Sequence, residues 1–461
     1  MRRMTHERGW LFCCLGCALL SMPVQAADLD EALLKQLEAD EAATRVDPAS
    51  APKLRTPAVG TRNVASGATS LTLKDVERMT QDNDAMFKSL RERAGALGEQ
   101  SAASERLPDP KLKFGISEYP VRKQGSVPDP IKLVVGLQQT MIPSARREHE
   151  SAQLQLMGQG QSARARQQKL LALRETRKAW LEIYLQHHTL VILRQTRKIL
   201  AQLAEISQNQ YRAGIGTQSD VLQAQIEQSL LKDRTSQVET AKELAVVELA
   251  RWAGPGIADR DLAMDSLDLP VMADLASIER GLDQLPLIQI MKREADAAKE
   301  GVEVARARGT SEWMWEFETM WSYTKDDGFG RDAVAGLITI DVPFSPGSLQ
   351  DYWLASSEKD YNSAVFLLAD QHRDLKREFQ QNAVNTKRLE ERITFYRETI
   401  LPQAAQNSQA ALRAYQAQVA DFSQLMRARQ QEFDSKLEGL RLLVERGTVQ
   451  VNLLYLSGDG M

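Results

Sequence analysis

Four short segments of the chain alternate apolar and polar residues, and this two-residue period predicts β-strands. The segments lie at 111–119, 131–142, 312–323 and 334–342. They occur in pairs along the chain, so the sequence predicts two β-hairpins, over 111–142 and 312–344. Each segment has about the length of a strand in a membrane β-barrel, where one face is apolar and the other polar.

Long helical patterns follow each predicted hairpin. Between Ser144 and Gln210 there is no proline, and apolar residues recur at steps of three and four. A helix of about 67 residues would be roughly 100 Å long, which no compact domain needs. A second helix is expected to end at Gly254-Pro255. The second half repeats the arrangement over 347–458, where Pro402 is expected to kink or break the helix.

The two halves of the chain correspond at a constant offset of 204 residues. Tyr211 corresponds to Tyr415, and the register continues without a gap to Gly254 and Gly458. Helical stretches at 71–105 and 272–308 precede the two hairpins. The sequence therefore predicts an internal duplication in which each repeat is a helix, a hairpin and long helices, with the repeats at 71–254 and 255–461.

The first 26 residues have the features of a signal peptide. Arginines precede an apolar run over 10–20, and a small residue, Ala26, precedes the predicted cleavage site. All three cysteines lie in this segment, and Leu15-Gly16-Cys17 also resembles the end of a lipobox, so lipidation of Cys17 is an alternative. Residues 27–70 are predicted to form a short N-terminal helix followed by an extended tether rich in Pro, Ala and Ser.

The composition of the chain mainly excludes classes of function. The 461 residues include 58 basic and 62 acidic side chains, so there is no basic excess to favour nucleic acid. With 3 Cys and 5 His, few groups remain for a thiol or metal enzyme, and no catalytic residue, cofactor site or metal site is predicted. The adjacent His187 and His188 point about 100° apart on a helix, which is a poor arrangement for chelation.

The two faces of the predicted strands differ in chemistry. An aromatic girdle at a membrane interface is predicted on one face of the third segment, from Trp313, Trp315 and Trp321. The opposite face of that segment would line a barrel lumen with acidic residues, Glu312, Glu316 and Glu318. Bases on the corresponding faces of neighbouring strands balance these acids in number, so we expect a solvated, salt-bridged lumen without net charge: Lys111, Lys113 and Lys132.

The strand count has a consequence for assembly. Four strands are too few to close a membrane barrel, which needs about eight, and an open edge in lipid would leave backbone groups unpaired. Several copies of the chain are therefore expected to contribute strands to one barrel. A soluble antiparallel sheet with one wet face is the alternative interpretation of each strand taken alone.

Four short motifs occur in a characteristic order and spacing along the chain: Leu71-Thr72-Leu73, Leu107-Pro108-Asp109-Pro110, Pro143-Ser-Ala-Arg-Arg147 and Ile400-Leu-Pro402. Together with the duplicated layout and the turns at Tyr211 and Tyr415, they resemble TolC-type outer-membrane factors. The match covers nearly all of the chain after the signal peptide. The second turn departs from the pattern, because Gln418 stands where the family usually has glycine.

The resemblance implies a mixed α+β membrane protein that forms a homotrimer. Four strands from each chain would build a trimeric 12-stranded transmembrane β-barrel in the outer membrane of a Gram-negative bacterium. The long helices would continue it as a periplasmic α-helical barrel. The implied function is passive export of solute, with no enzymatic activity and no cofactor, in a tripartite system with a periplasmic adaptor and an inner-membrane transporter.

The Pro108-Asp109-Pro110 entry is similar to the heavy-metal branch of this family, whose ducts serve cobalt, zinc and cadmium or copper and silver efflux. That branch implies heavy-metal cations as cargo and a resistance-nodulation-division antiporter as the pump. The same duct serving organic drugs or type I protein secretion is an alternative. A soluble periplasmic coiled-coil scaffold or adaptor is an alternative of a different class.

The turns after the first long helix of each repeat would be the periplasmic tips. Gly214, Ile215 and Gly216 in the first turn and Val419 in the second are candidates for docking the adaptor. Asp220 and Asp421 are candidates for a periplasmic gate, because three copies would form a ring of like charge. The alternative for each acid is that it complements the helix dipole from the first turn of a helix. Two serines at corresponding positions are predicted to be the N-caps of the returning helices: Ser219 and Ser423.

Overall fold

The computed structural model describes residues 70–117, 131–310, 312–324, 328–342 and 349–460. The predicted signal peptide, the tether over 27–69 and Cys17 lie outside the described residues.

Nine α-helices and four β-strands are present within the described residues. The helices are α1 (Leu73–Asn83), α2 (Ala85–Ser104), α3 (Ser144–Arg212), α4 (Gln218–Ala253), α5 (Leu275–Gly281), α6 (Pro286–Ala307), α7 (Leu349–Phe395), α8 (Leu401–Gln416) and α9 (Phe422–Ser457). The strands are β1 (Lys111–Ser117), β2 (Ile131–Met141), β3 (Trp313–Thr324) and β4 (Gly328–Ile340). Each half of the chain thus runs from helix to strand pair to long helices, the order that the proposed duplication requires.

The helix α3 has 69 residues, so it is roughly 100 Å long. It packs along α2, α4, α6 and α9, so it contacts helices from both halves of the chain. Its middle turns carry the largest buried side chains, among them Trp180 and Tyr184, which are almost inaccessible to solvent. The core therefore lies between the halves, and α3 is its centre.

The hydrogen-bonding pattern of the helical segment around Pro402 changes just before the proline, but the helical backbone does not end there. A single π-helical turn, Tyr396–Ile400, joins α7 to α8, and Pro402 lies in the first turn of α8. Proline has no N–H and its ring crowds the carbonyl four residues earlier. The wider π turn accommodates this conflict, so the backbone stays helical while the α-helical hydrogen-bonding pattern is interrupted just before Pro402.

The four strands form one antiparallel sheet in the order β1-β2-β3-β4. The β2–β3 pairing joins the two hairpins, with Gly136 opposite Glu318 and Leu133 opposite Trp321. The β3–β4 register shifts once, between Trp321 and Ser322. Because alternate residues of a strand share a face, this register sorts the side chains of all four strands onto two faces.

A cluster around Arg177 fixes both ends of the described chain to α3. Its guanidinium donates to Glu77 of α1 at 2.6 Å and to Asp459, which follows α9, at 2.7 Å. The Arg177 side chain is only 4% exposed. One turn of α1 further on, the hydroxyls of Thr80 and Thr176 lie 3.0 Å apart in the core.

Candidate functional site

One face of the sheet is apolar and open to the surroundings. Its side chains are 41–75% exposed at ten positions on the four strands: Leu112, Phe114, Ile116, Leu133, Trp313, Phe317, Tyr323, Val334, Ile338 and Ile340. A protein in water rarely leaves so many neighbouring apolar side chains uncovered. This face is suited to contact with lipid or with another apolar surface.

The three tryptophans proposed as an aromatic girdle lie on this apolar face, but at two different heights. Trp313 and Trp315 are at the start of β3, while Trp321 is six positions after Trp315. Six residues span about 20 Å along a strand, which is a height of about 15 Å for a strand tilted by about 40° in a membrane barrel. Trp313 and Trp315 therefore lie near one end of β3 and Trp321 near the other. Their place in an aromatic girdle stays a prediction.

The opposite face of the sheet brings three of the predicted lumen residues together. The Lys113 ammonium on β1 forms an ion pair with Glu316 on β3 and lies 3.7 Å from Glu318. The structure separates the other three from this group: Glu312 pairs with Arg146 at the start of α3, Lys111 lies opposite Gln138, and Lys132 lies opposite Ser322. The equal numbers of acids and bases therefore do not correspond to one ion pair for each acid across the strands.

The two helix tips have the same backbone conformation. In the first, Gly214 takes a positive φ of 74° and the Ile215 N–H donates to the Gln210 carbonyl at 2.9 Å. In the second, Gln418 takes a φ of 60° and the Val419 N–H donates to the Ala414 carbonyl at 2.9 Å. The glutamine that replaces the usual glycine therefore preserves the turn, at the cost of a left-handed conformation.

The left-handed position in the first tip allows a sharp stability prediction. Gly214 and Gly256 both have open space where a Cβ would lie, but only Gly214 has a positive φ. We expect Gly214→Gln to lower the free energy of unfolding by about 1 kcal/mol, because an L-residue is strained there. Gly256→Gln should cost less in the same denaturant titration of the detergent-solubilised protein. Equal losses of stability would contradict the proposed strain.

The caps of the returning helices are not the predicted serines. Thr217 caps α4: its hydroxyl accepts from the Asp220 N–H at 3.2 Å, and the Asp220 carboxylate accepts from the Thr217 N–H at 3.1 Å. Asp421 caps α9 by accepting from the Gln424 N–H at 2.6 Å. Ser219 and Ser423 lie inside their helices, because a cap must precede the first helical residue and offer its oxygen to the N–H groups two or three positions on.

Both gate candidates therefore have a local structural role at a helix N-terminus. The carboxylate of Asp220 completes a capping box, and that of Asp421 is the cap itself. Carboxylates are stabilised there by the helix dipole. Asp421 is exposed and Asp220 is half-buried, and their role in a periplasmic gate stays a prediction.

The two tips contact each other through a tyrosine that sequence analysis did not assign to a site. The Tyr415 hydroxyl donates to the Gln210 side-chain carbonyl at 2.5 Å, and the Ser423 hydroxyl lies 3.3 Å from the side-chain carbonyl oxygen of Gln223. The Tyr415 ring packs edge-on against Phe422. Its counterpart in the first repeat, Tyr211, is half exposed, so the repeat alignment alone could not show which tyrosine holds the tips together.

Removing the Tyr415 hydroxyl should loosen the tip contact. We expect Tyr415→Phe to cost about 0.5–1.5 kcal/mol, the usual value of one hydrogen bond, and to leave the ring packing intact. In planar bilayers the variant should show longer or more frequent open events than the wild type. Tyr211→Phe is the matched control because its tyrosine is exposed, and gating that changes equally in both variants would refute a specific role for Tyr415.

The same contact has a defined pH dependence. Burial raises the pKa of the Tyr415 hydroxyl above its usual value of 10.0, and the nearby Asp220 carboxylate adds to the effect. The stabilisation is therefore complete below the unfolded-state pKa and is lost as the pH rises through the folded-state pKa. We expect the wild-type tips to loosen only above about pH 10, and Tyr415→Phe to lack this transition.

The docking candidates at the tips are positioned at the surface. Val419 is 83% exposed and Ile215 is 60% exposed, so each tip presents one apolar side chain. Gly214 supplies the left-handed turn, and Gly216 lies against the backbone of Tyr211, where a Cβ would approach its nitrogen to 3.2 Å. The glycines therefore shape the first tip, and the two aliphatic residues are the parts that a partner could touch.

Other candidate chemistry is sparse. The described residues contain no group of three or more potential metal ligands, and no described helix has the length and apolar character to cross a membrane. His188 is buried and its Nε2 donates to the Met264 carbonyl at 2.9 Å. Burial lowers the pKa of His187, and the adjacent His188 adds to the shift.

Comparison with solved structures places this architecture among outer-membrane channels. The outer membrane protein VceC of Vibrio cholerae is 17% identical, with a TM-score of 0.71 over 84% of this chain and 96% of its own. CusC is 15% identical, with a TM-score of 0.73 over 89% and 99% of the two chains. The CmeC channel of Campylobacter jejuni is 12% identical, with a TM-score of 0.73 over 89% and 94%.

No protein-family model matches the sequence, and neither does any curated protein. At identities below 20% the structural likeness shows the fold. The chain has the fold shared by TolC-type outer-membrane channels.

Proposed function

We propose that this protein is the outer-membrane exit duct of a tripartite efflux system, located in the outer membrane of a Gram-negative bacterium and extending into the periplasm. The observation that carries this proposal is one four-stranded sheet with an open apolar face, continuous in the chain with helices roughly 100 Å long. The apolar face suits lipid, and the helices suit a conduit across the periplasm. The fold shared with solved outer-membrane channels supports the same conclusion.

Assembly as a homotrimer is the second part of the proposal. The sheet of one chain ends in two edge strands, β1 and β4, and an unpaired edge is not tolerated in lipid. Three chains that pair β1 with the β4 of a neighbour would give the 12-stranded barrel. The helices also have uncovered apolar side chains for neighbouring copies, such as the four-residue series Leu222, Ile226 and Leu230 on α4, and Tyr352 and Phe366 on α7.

The helix tips are the proposed contact with the partner proteins. The exposed Ile215 and Val419 would meet the hairpins of a periplasmic adaptor, and an inner-membrane resistance-nodulation-division antiporter would supply the driving force. Heavy-metal cations are the proposed cargo, on the resemblance around Pro108-Asp109-Pro110 alone. Organic drugs and secreted polypeptides are the alternative cargoes. A deletion strain challenged with a panel of metals and antibiotics distinguishes them by the compounds to which it becomes sensitive.

Two experiments test the duct itself. Cell fractionation should leave the protein in the detergent-resistant outer membrane, and the purified trimer should conduct ions in planar bilayers. Release with soluble periplasmic proteins, as a monomer stable without detergent, would refute the proposal. It would favour the soluble coiled-coil scaffold, which the open apolar face of the sheet argues against.

A further inference from the structure

One row of side chains crosses three strands on the polar face of the sheet. The antiparallel registers place Lys113 on β1 opposite Gly136 on β2, and Gly136 opposite Glu318 on β3. In an antiparallel sheet, residues in such a row point to the same side. A side chain at position 136 would therefore stand between the lysine and the glutamate.

Because Gly136 has no side chain, the Glu318 side chain occupies the space above it. A Cβ on residue 136 would lie 2.9 Å from the Glu318 Cγ, closer than such atoms can approach, and 3.3 Å from the Phe317 carbonyl oxygen. The Glu318 side chain thus lies over the glycine, and the Lys113 ammonium reaches across β2 to both carboxylates of β3. Any larger residue at position 136 would push the glutamate away from the sheet.

The three charges are unequally covered. The side chain of Glu316 is 6% exposed and that of Glu318 is 27% exposed, while Lys113 is 42% exposed. The carboxylates lie against the sheet and the ammonium is the outermost charge. The neighbouring Lys111 on the same face is exposed as well.

The described strand residues on this face also include more bases than acids. On β1, β2 and β3 the bases are Lys111, Lys113 and Lys132 and the acids are Glu316 and Glu318; Glu312, which pairs with Arg146, and Asp341 lie beyond the strands at one end of the sheet. Along these three strands, the count and the coverage of the carboxylates both give the polar face a positive character.

We infer that this level of the barrel wall presents positive charge to the lumen, and that Gly136 is the positioning residue that makes it do so by holding Glu318 under Lys113. The inference rests on the proposed function, because the polar face lines a lumen only if the chains form a barrel. Repeated in three chains, such a wall favours anionic over cationic solutes at this level. Any preference for metal cations would then have to come from the pump and adaptor.

The test measures reversal potentials of the trimer in planar bilayers under a KCl gradient. We expect Gly136→Val to displace Glu318 into the lumen and to shift the permeability ratio of K⁺ to Cl⁻ upward, by roughly twofold for a ring of three charges. Gly115→Val is the matched control, because Gly115 lies on the same polar face and has no atom within 4 Å of its Cβ position. It adds the same bulk without touching the charge cluster.

A second pair of variants tests the inference even if Gly136→Val does not fold. Lys113→Gln removes the outermost charge and should shift the ratio toward K⁺ strongly, while Glu316→Gln removes a covered charge and should shift it little. Equal shifts for the two glycine variants, or a larger shift for Glu316→Gln than for Lys113→Gln, would overturn the inference. A wild-type trimer that does not conduct would instead refute the proposed duct.

Discussion

Replacing Arg177 with methionine is expected to lower the free energy of unfolding by about 3–5 kcal/mol per chain. The substitution leaves the carboxylates of Glu77 and Asp459 without the guanidinium that donates to them at 2.6 and 2.7 Å. Because Arg177 is almost fully buried, water cannot replace it without opening the packing of α1 and the end of α9 on α3. Denaturant titration of the detergent-solubilised protein, followed by helical circular dichroism, measures the loss.

A surface ion pair provides the control for this prediction. Arg388 lies 2.7 Å from Glu391 but is 70% exposed, so Arg388→Met should cost less than about 1 kcal/mol. If the two variants lose the same stability, the Arg177 cluster does not clamp the ends of the chain to α3. A loss confined to Arg177→Met would show that the clamp couples α1 and the C-terminal residues to the core.

Placing an arginine on the apolar face of the sheet is expected to prevent stable assembly in the outer membrane. Val334 is 64% exposed on this face and lies at the middle of β4, opposite Thr319 of β3. A charged residue on the lipid face of a membrane barrel costs about 2–4 kcal/mol near the bilayer centre, and a trimer contains it three times. Val334→Arg should therefore leave little folded trimer in the outer-membrane fraction, as measured by gel mobility with and without heating.

The neighbouring residue gives a matched control on the other face. Ala333 is adjacent in the strand, so its side chain points to the polar side, and Ala333→Arg should assemble at near wild-type levels. In a soluble sheet with a wet face, Val334→Arg would be harmless or would improve solubility. Normal amounts of the Val334→Arg trimer would therefore contradict the membrane barrel.

Local patterns predicted the elements well because each pattern has a local cause. The alternation of apolar and polar residues in 131–142 and 312–323 requires only that the sheet have one apolar and one polar face. The strand β2 lies within the first segment, and β3 extends one residue beyond the second. The absence of proline between Ser144 and Gln210 allowed one long helix, and α3 spans it. The backbone around Pro402 was harder to predict from the sequence. A helix can accommodate the missing N–H of a proline in several ways, of which a π turn is one, and packing selects among them.

The candidate site was only partly accessible from the sequence. Glycine at position 214 and acidic residues after each turn indicated the tips, but the caps proved to be Thr217 and Asp421 because the exact first helical residue decides the cap. The contact of Tyr415 with Gln210 joins residues 205 positions apart. No local pattern could indicate it, since its corresponding residue Tyr211 occupies the equivalent place in the first repeat and is exposed.

The sequence by itself determined the strands, the long helices and the sharp turns, because backbone propensity and side-chain periodicity act over a few residues. Only the tertiary structure decided which charges meet. The register of β1, β2 and β3 places Gly136 between Lys113 and Glu318, and the packing of α1 and α9 on α3 encloses Arg177. Such contacts depend on how separate elements align in space, and a shift of one residue in a strand or one turn of a helix would remove them.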